Sequence, residues 1–119
     1  LASELGSAVL LVSHDLGVIA RCCSRVMVMY CGEIIEDARY AELYRQPRHP
    51  YSEGLLKAMP RIEDAPFATG IHGSPPRFED MPEGCLFAPR CYRADDRCHR
   101  VPPPATEEND RLFRCHHPL

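Results

Sequence analysis

Four of the seven cysteines in this chain of 119 residues fall after residue 84. They are Cys85, Cys91, Cys98 and Cys115, spaced C-x5-C-x6-C-x16-C within "GCLFAPRCYRADDRC" and "FRCHHP". Three chemistries are open to such a set. Disulfides belong to oxidising compartments. Nothing here resembles a secretory signal, because the apolar run Ala8 to Val12 is too short and no basic segment precedes it. The thiols are therefore expected to be reduced. Four thiolates can close a tetrahedral zinc site, or they can hold a [4Fe–4S] cluster. Structural zinc sites commonly draw two ligands from one tight C-x2–4-C turn, since a single small ion needs its sulfurs close together. Every gap here is at least five residues. That spacing tilts toward the larger cluster, with zinc as the alternative.

His14 is a second candidate. It follows the apolar run "SAVLLVS" and precedes "DLGVIARCC". At the carboxyl end of a strand, where open α/β sheets bind ligands, an imidazole can donate to a phosphate oxygen or orient an attacking water. Position alone weighs toward a turn whose polar residues merely cap the next helix.

These residues need elements to position them. "LASELG" reads as a last helical turn stopped by Gly6, so the chain is expected to be a piece of a longer one. "SAVLLVS" reads as a strand covered on both faces in a parallel sheet. Asp15 is the expected N-cap of a helix with Leu16, Ile19, Ala20 and Cys23 on one face. "RVMVMY" reads as a second buried strand, "CG" as a tight turn, and "EIIED" as a third strand antiparallel to the second. "ARYAELYRQ" is a short helix ended by Pro47. "PYSEGLLKAM" is another, with Pro50 as its first residue. Cys22, Cys23 and Cys31 are expected to be small buried residues. Residues 61–82 read as loop, and "VPPPATEEND" as a polar extended loop.

Composition divides the chain. Residues 1–46 contain no proline, and all twelve prolines lie between Pro47 and Pro118. The net charge of −3 and pI near 6.1 give no case for nucleic-acid binding. No stretch approaches the roughly 18 apolar residues of a membrane span. Arg90, Arg93, Arg97, Arg100 and Arg114 flank the cysteines; they either lower the thiol pKa values and offset thiolate charge or form a mixed solvated surface. Leu86, Phe87, Ala88, Pro89 and Phe113 are candidates to shield a metal group from water. His99, His116 and His117 are set aside as ligands, the last two because they directly follow Cys115.

The order "AVLLVSHDLGVIARCCSRVMVMYCGEIIED" resembles the end of the nucleotide-binding domain of ABC transporters. The resemblance implies that His14 is the switch histidine, which contacts the γ-phosphate of ATP and is needed for hydrolysis. Asp37-Ala38 stands where that family usually has Glu-Gly. "QPRHPYSEGLLKAMP" is similar to a segment after the nucleotide-binding domain in ATPases of oligopeptide, dipeptide and nickel importers. His49, Pro50 and Tyr51 read there as packing residues. "GCLFAPRCYRADDRC…FRCHHP" is similar to the C-terminal extension of the same ATPases, some of which carry an iron–sulfur cluster. All four cysteines match, although Tyr92-Arg93 replaces the usual proline after Cys91.

The expected fold is α/β: the C-terminal piece of a P-loop ABC nucleotide-binding domain (1–46), a helix and linker (47–82), and an irregular, metal-clasped four-cysteine extension (83–119). The chain has no GxxxxGK[ST] loop and no apolar strand ending in Asp-Glu. ATP and Mg²⁺ are therefore expected only in a longer parent, and this piece alone should be inactive. The resemblance implies peptide import driven by ATP hydrolysis, at the cytoplasmic face of a membrane. It implies membrane-spanning subunits and a second ATP-binding subunit as partners, with an extracytoplasmic solute-binding protein acting indirectly. The rival expectation is a free-standing metal module, either a zinc interaction domain or an iron–sulfur redox carrier.

Overall fold

The computed structural model describes residue 4, residues 6–59 and residues 70–119. Gly6 takes φ 65, the left-handed conformation of a helix stop; the helical turn expected before it lies outside the described residues. Helix α1 (Leu16–Cys22) begins at its expected cap. The Asp15 carboxylate accepts the backbone N–H of Gly17 at 2.8 Å and of Val18 at 3.3 Å. Ile19 is the buried residue of its inner face.

Strands β1 (Arg25–Tyr30) and β2 (Glu33–Arg39) pair antiparallel through the two-residue turn Cys31-Gly32. Both turn residues have positive φ, 47 and 85. That is the type I′ geometry whose twist suits a hairpin, and it explains the glycine. The register slips between Val28 and Met29, so Val28 faces Glu36 and Met29 faces Ile34. This bulge breaks the alternation of β2 and turns both Ile35 and Glu36 inward. A carboxylate thereby enters the interior.

Helix α2 (Tyr40–Arg45) follows, then α3 (Pro50–Lys57), where Pro50 holds the first helical position. In α3, His49 is the N-cap, and its Nδ1 accepts the Tyr51 N–H at 3.0 Å. Helix α4 (Asp96–Arg100) carries Cys98. The chain closes with β3 (Thr106–Glu108) and β4 (Arg111–Phe113), joined by Asn109-Asp110 at φ 51 and 60. β4 pairs with β2, giving one antiparallel sheet in the order β1-β2-β4-β3.

The core lies on one face of this sheet. Ile19, Val26, Val28, Tyr30, Ile35, Ala38 and Leu43 form it with Phe87 from the cysteine-rich part. Phe87 sits edge-on to Tyr30 and Tyr51, with ring centroids 5.3 Å and 5.4 Å away. Arg90 bonds the carbonyls of His72 and Gly73 and the Tyr30 hydroxyl, fastening the linker to the core.

Three expectations are corrected. Residues 7–13 form no strand and are exposed, Leu10 at 87%. A wholly apolar strand is stable only with a hydrogen-bonded neighbour and cover on both faces, and no described element supplies either. β1 is buried on one face only, with Met27 and Met29 outward. The sheet is therefore antiparallel and one-sided rather than part of a parallel stack. The polar "VPPPATEEND" loop proves to contain β3.

Candidate metal centre

The four cysteines arrive from four different local structures. Cys85 follows Gly84, and its N–H donates to the Cys98 carbonyl at 2.7 Å. The 3₁₀ turn Ala88–Arg90 then ends at Cys91, whose N–H donates to Ala88 at 3.2 Å. Cys98 lies inside α4, capped by Asp95. Cys115 follows β4 once Arg114 has bonded the Ile35 carbonyl at 2.9 Å. Together they line one pocket with His49, Pro50, Phe87, Ala88, Arg93, His116 and His117. The space they enclose is about 10 Å³, and the pocket is partly open to solvent.

Gly84 makes the first junction possible. A Cβ there would overlap the Cys98 carbonyl oxygen and come within 2.6 Å of the His99 carbonyl carbon. These are backbone atoms of a helix and cannot swing aside. Gly84→Ala is expected to cost about 3 kcal/mol, the upper end for forcing atoms into a packed site. A thermal unfolding midpoint unchanged within a degree would contradict this packing.

Burial pushes all four thiols up, Cys115 to about 11. For Cys115 the other three cysteines add to the rise, because each negative sulfur would repel the next. Arg93 lowers Cys91 but does not reverse the direction. Of the two readings left open for the arginines, depression of the thiols is outweighed by burial at all four cysteines. Arg90 serves the core, and Arg100 bonds the Asp96 carbonyl in its own helix. Neutral, crowded, half-buried thiols are what a soft cation would deprotonate on binding, with release of protons. The donor set thus fits a thiolate-bound metal.

Among the described residues, the three ligand atoms that lie within 4.8 Å of one another belong to Asp95, Cys98 and His117. No three of the cysteine sulfurs stand so close. Zinc–sulfur bonds of about 2.3 Å place sulfurs roughly 3.8 Å apart in a tetrahedron.

Sequence reading missed Asp95 and set His117 aside. The signal for Asp95 was "DDRC", an acidic cap before a short helix. Of the five residues expected to shield the site, Phe87 and Ala88 line the pocket, and Leu86, Pro89 and Phe113 do not. Cys22 is exposed, and Cys23 and Cys31 are half-buried against the core, which corrects the expectation that all three are buried.

His49 is 1% exposed, and burial lowers its pKa from 6.5 to about 4. The folded state therefore holds it neutral where the unfolded chain would protonate it. Stability should fall as pH drops from about 6.5 toward 4, by up to about 3 kcal/mol from this group. His49→Asn keeps a capping acceptor without the titration. Urea unfolding across that range should show a slope smaller by up to one proton in the variant. An unchanged slope would mean that His49 is not held neutral.

His14 lies exposed in a bend before α1. The cysteine pocket has no lining residue before His49, so the two candidate sites are separate. No helix among the described residues is long and apolar enough to cross a membrane.

Residues 35–98 match a family described as oligopeptide/dipeptide transporter, C-terminal region. Similar proteins include one from Brucella ovis, named as a peptide import ATP-binding protein, 44% identical over 117 residues. That match covers 92% of this chain and 35% of the relative. The oligopeptide transport ATP-binding protein AppD of Bacillus subtilis is 41% identical over 97% of this chain and 36% of its own length. The oligopeptide transport ATP-binding protein OppD of Salmonella typhimurium is 41% identical over all of this chain and 36% of its own length. The chain therefore spans about a third of the length of the relatives it matches. The family match begins inside β2, takes in the buried "RHPY" segment and ends at Cys98, more than half of the chain; this chain belongs to the oligopeptide/dipeptide transporter C-terminal region family.

Proposed function

We propose that this chain is the C-terminal portion of the ATP-binding subunit of an ABC importer, which couples ATP hydrolysis to uptake of oligopeptides or dipeptides. The observation that carries the proposal is similarity to transport ATP-binding proteins over nearly the whole chain. On this reading, residues 1–46 close a nucleotide-binding domain whose ATP and Mg²⁺ are held largely by upstream residues. Residues 47–82 are its helix and linker, and 83–119 its cysteine extension. The subunit works at the cytoplasmic face, with membrane-spanning subunits and a second ATP-binding subunit. A solute-binding protein outside the membrane acts indirectly.

His14 is assigned to the γ-phosphate. Its place between the apolar run and the Asp15 cap supports this, since the imidazole is exposed and free to meet a nucleotide. In the full-length protein, His14→Ala should lower ATP turnover by about 10²–10⁴-fold while nucleotide still binds. Turnover at the parental rate would overturn the assignment.

Cys85, Cys91, Cys98 and Cys115 are assigned to a [4Fe–4S] cluster, supported by their gaps of at least five residues in sequence and by their meeting at one pocket. When bound, such a group supplies metal–thiolate cross-links between segments that share little core of their own. The residues around it do the rest. Phe87 anchors the segment on the hairpin, and His49 and Pro50 wall the pocket from the α3 side.

A further inference from the structure

His116 and His117 were set aside as ligands, but each has a different partner. His116 Nε2 donates to the Val101 carbonyl at 2.8 Å, and His117 Nε2 donates to the Asp95 carboxylate at 2.8 Å. Both acceptors are oxygens without hydrogen, so both rings carry the proton on Nε2. Asp95 and Val101 are the N-cap and C-cap residues of α4. The segment after Cys115 is thus tied to both ends of the short helix that carries Cys98.

Asp95 is the centre of this arrangement. One carboxylate oxygen accepts the Cys98 N–H at 2.9 Å, and the other accepts the His117 ring. A single side chain therefore joins the backbone of one cysteine to the residue two positions beyond another. The tie lies beside the thiol, since the ligand atoms of Asp95, Cys98 and His117 fall within 4.8 Å of one another. Both carboxylate oxygens already hold donors, so an ion at Asp95 would have to displace them. A positioning role fits this better than direct ligation.

We infer that Asp95, His116 and His117 form a hydrogen-bonded staple that holds Cys98 and Cys115 at the pocket before any metal arrives. The inference rests on the reading of the pocket as a metal site and goes further, because it makes the ligand set pre-organised by residues that do not touch the metal. Such supporting partners typically change metal affinity by about 10–100-fold when removed. A staple also lowers the ordering cost that four ligands from separate segments would otherwise incur on binding.

The test uses the full-length protein, purified anaerobically, with His117→Ala, His117→Gln and Asp95→Ser. Iodoacetamide alkylation after chelator treatment, read residue by residue by mass spectrometry, reports whether the two thiols stay sheltered without metal. The half-life of bound metal in EDTA reports retention. His117→Ala should speed alkylation of Cys98 and Cys115 about 10-fold or more relative to Cys31, and shorten metal retention about 10–100-fold. His117→Gln keeps an N–H donor and should recover most of both. Asp95→Ser keeps a helix cap but loses the His117 arm, and should behave like His117→Ala. Parental alkylation rates in His117→Ala, or a Gln variant no better than Ala, would overturn the staple. A wild-type protein without metal would overturn the metal reading alone, with alkylation still deciding the staple.

Discussion

Replacing Glu36 with alanine is expected to destabilise this protein by about 3–5 kcal/mol, the range for removing one partner of a buried ion pair. Glu36 is 0% exposed. Its carboxylate accepts the Arg48 N–H at 2.7 Å, the His49 N–H at 2.9 Å and the Arg111 guanidinium at 2.8 Å. Three separated segments meet on these two oxygens: β2, the "RHPY" turn and β4. Truncation leaves two backbone donors and a largely buried guanidinium without their acceptor. Gln in its place retains one acceptor oxygen for three donors and turns its own N–H₂ toward the others, so Glu36→Gln should also be clearly destabilising. A double-mutant cycle with Arg111→Ala should show a coupling of about 1–3 kcal/mol. A Glu36→Ala protein with a denaturant midpoint within error of the parent would show that this carboxylate does not knit the segments.

The second large effect is expected at the cysteines. Cys98→Ser and Cys115→Ser each remove one thiolate from the proposed set. Loss of supporting partners alone costs about 10–100-fold in metal affinity, so loss of a ligand should cost more than about 100-fold. Both variants should emerge from purification with substoichiometric metal. Cys22→Ser is the control, since Cys22 is exposed and lies outside the pocket; it should carry parental metal. Unchanged metal in either ligand variant would mean that the ligand set is wrong.

Local chemistry was readable in the sequence. Asp15 as a cap, Pro50 at a first helical position and Cys31-Gly32 as a hairpin turn each depend on a few adjacent residues. The β4 strand was not readable in the same way. It is three residues long, and its partner β2 lies more than 70 positions away, as the pairing of Glu36 with Phe113 shows. The available signal is Asn109-Asp110, whose residue types tolerate positive φ, and reading the segment as an extended loop misses it. The inward turn of Glu36 was hidden for another reason. Alternation along "EIIED" points Ile35 and Glu36 to opposite faces, and only the bulge brings both inside.

The candidate site was legible as a residue list but not as an arrangement. Spacing picked out four cysteines, and the structure brings all four to one pocket. It did not reveal that their surroundings keep them neutral, nor that His116 and His117 fasten Cys115 to α4. Those properties arise from burial and from contacts between segments distant in the chain. His14 lies outside the cysteine pocket.

The central claim is that the extension is clasped by a four-thiolate iron–sulfur cluster. Its most direct test is anaerobic purification of the full-length protein, with a visible spectrum and analysis of iron, acid-labile sulfide and zinc. The account predicts a brown protein with about four iron and four sulfide per chain, as the [4Fe–4S] formula requires. A colourless protein with one zinc per chain, or with no metal, would contradict it.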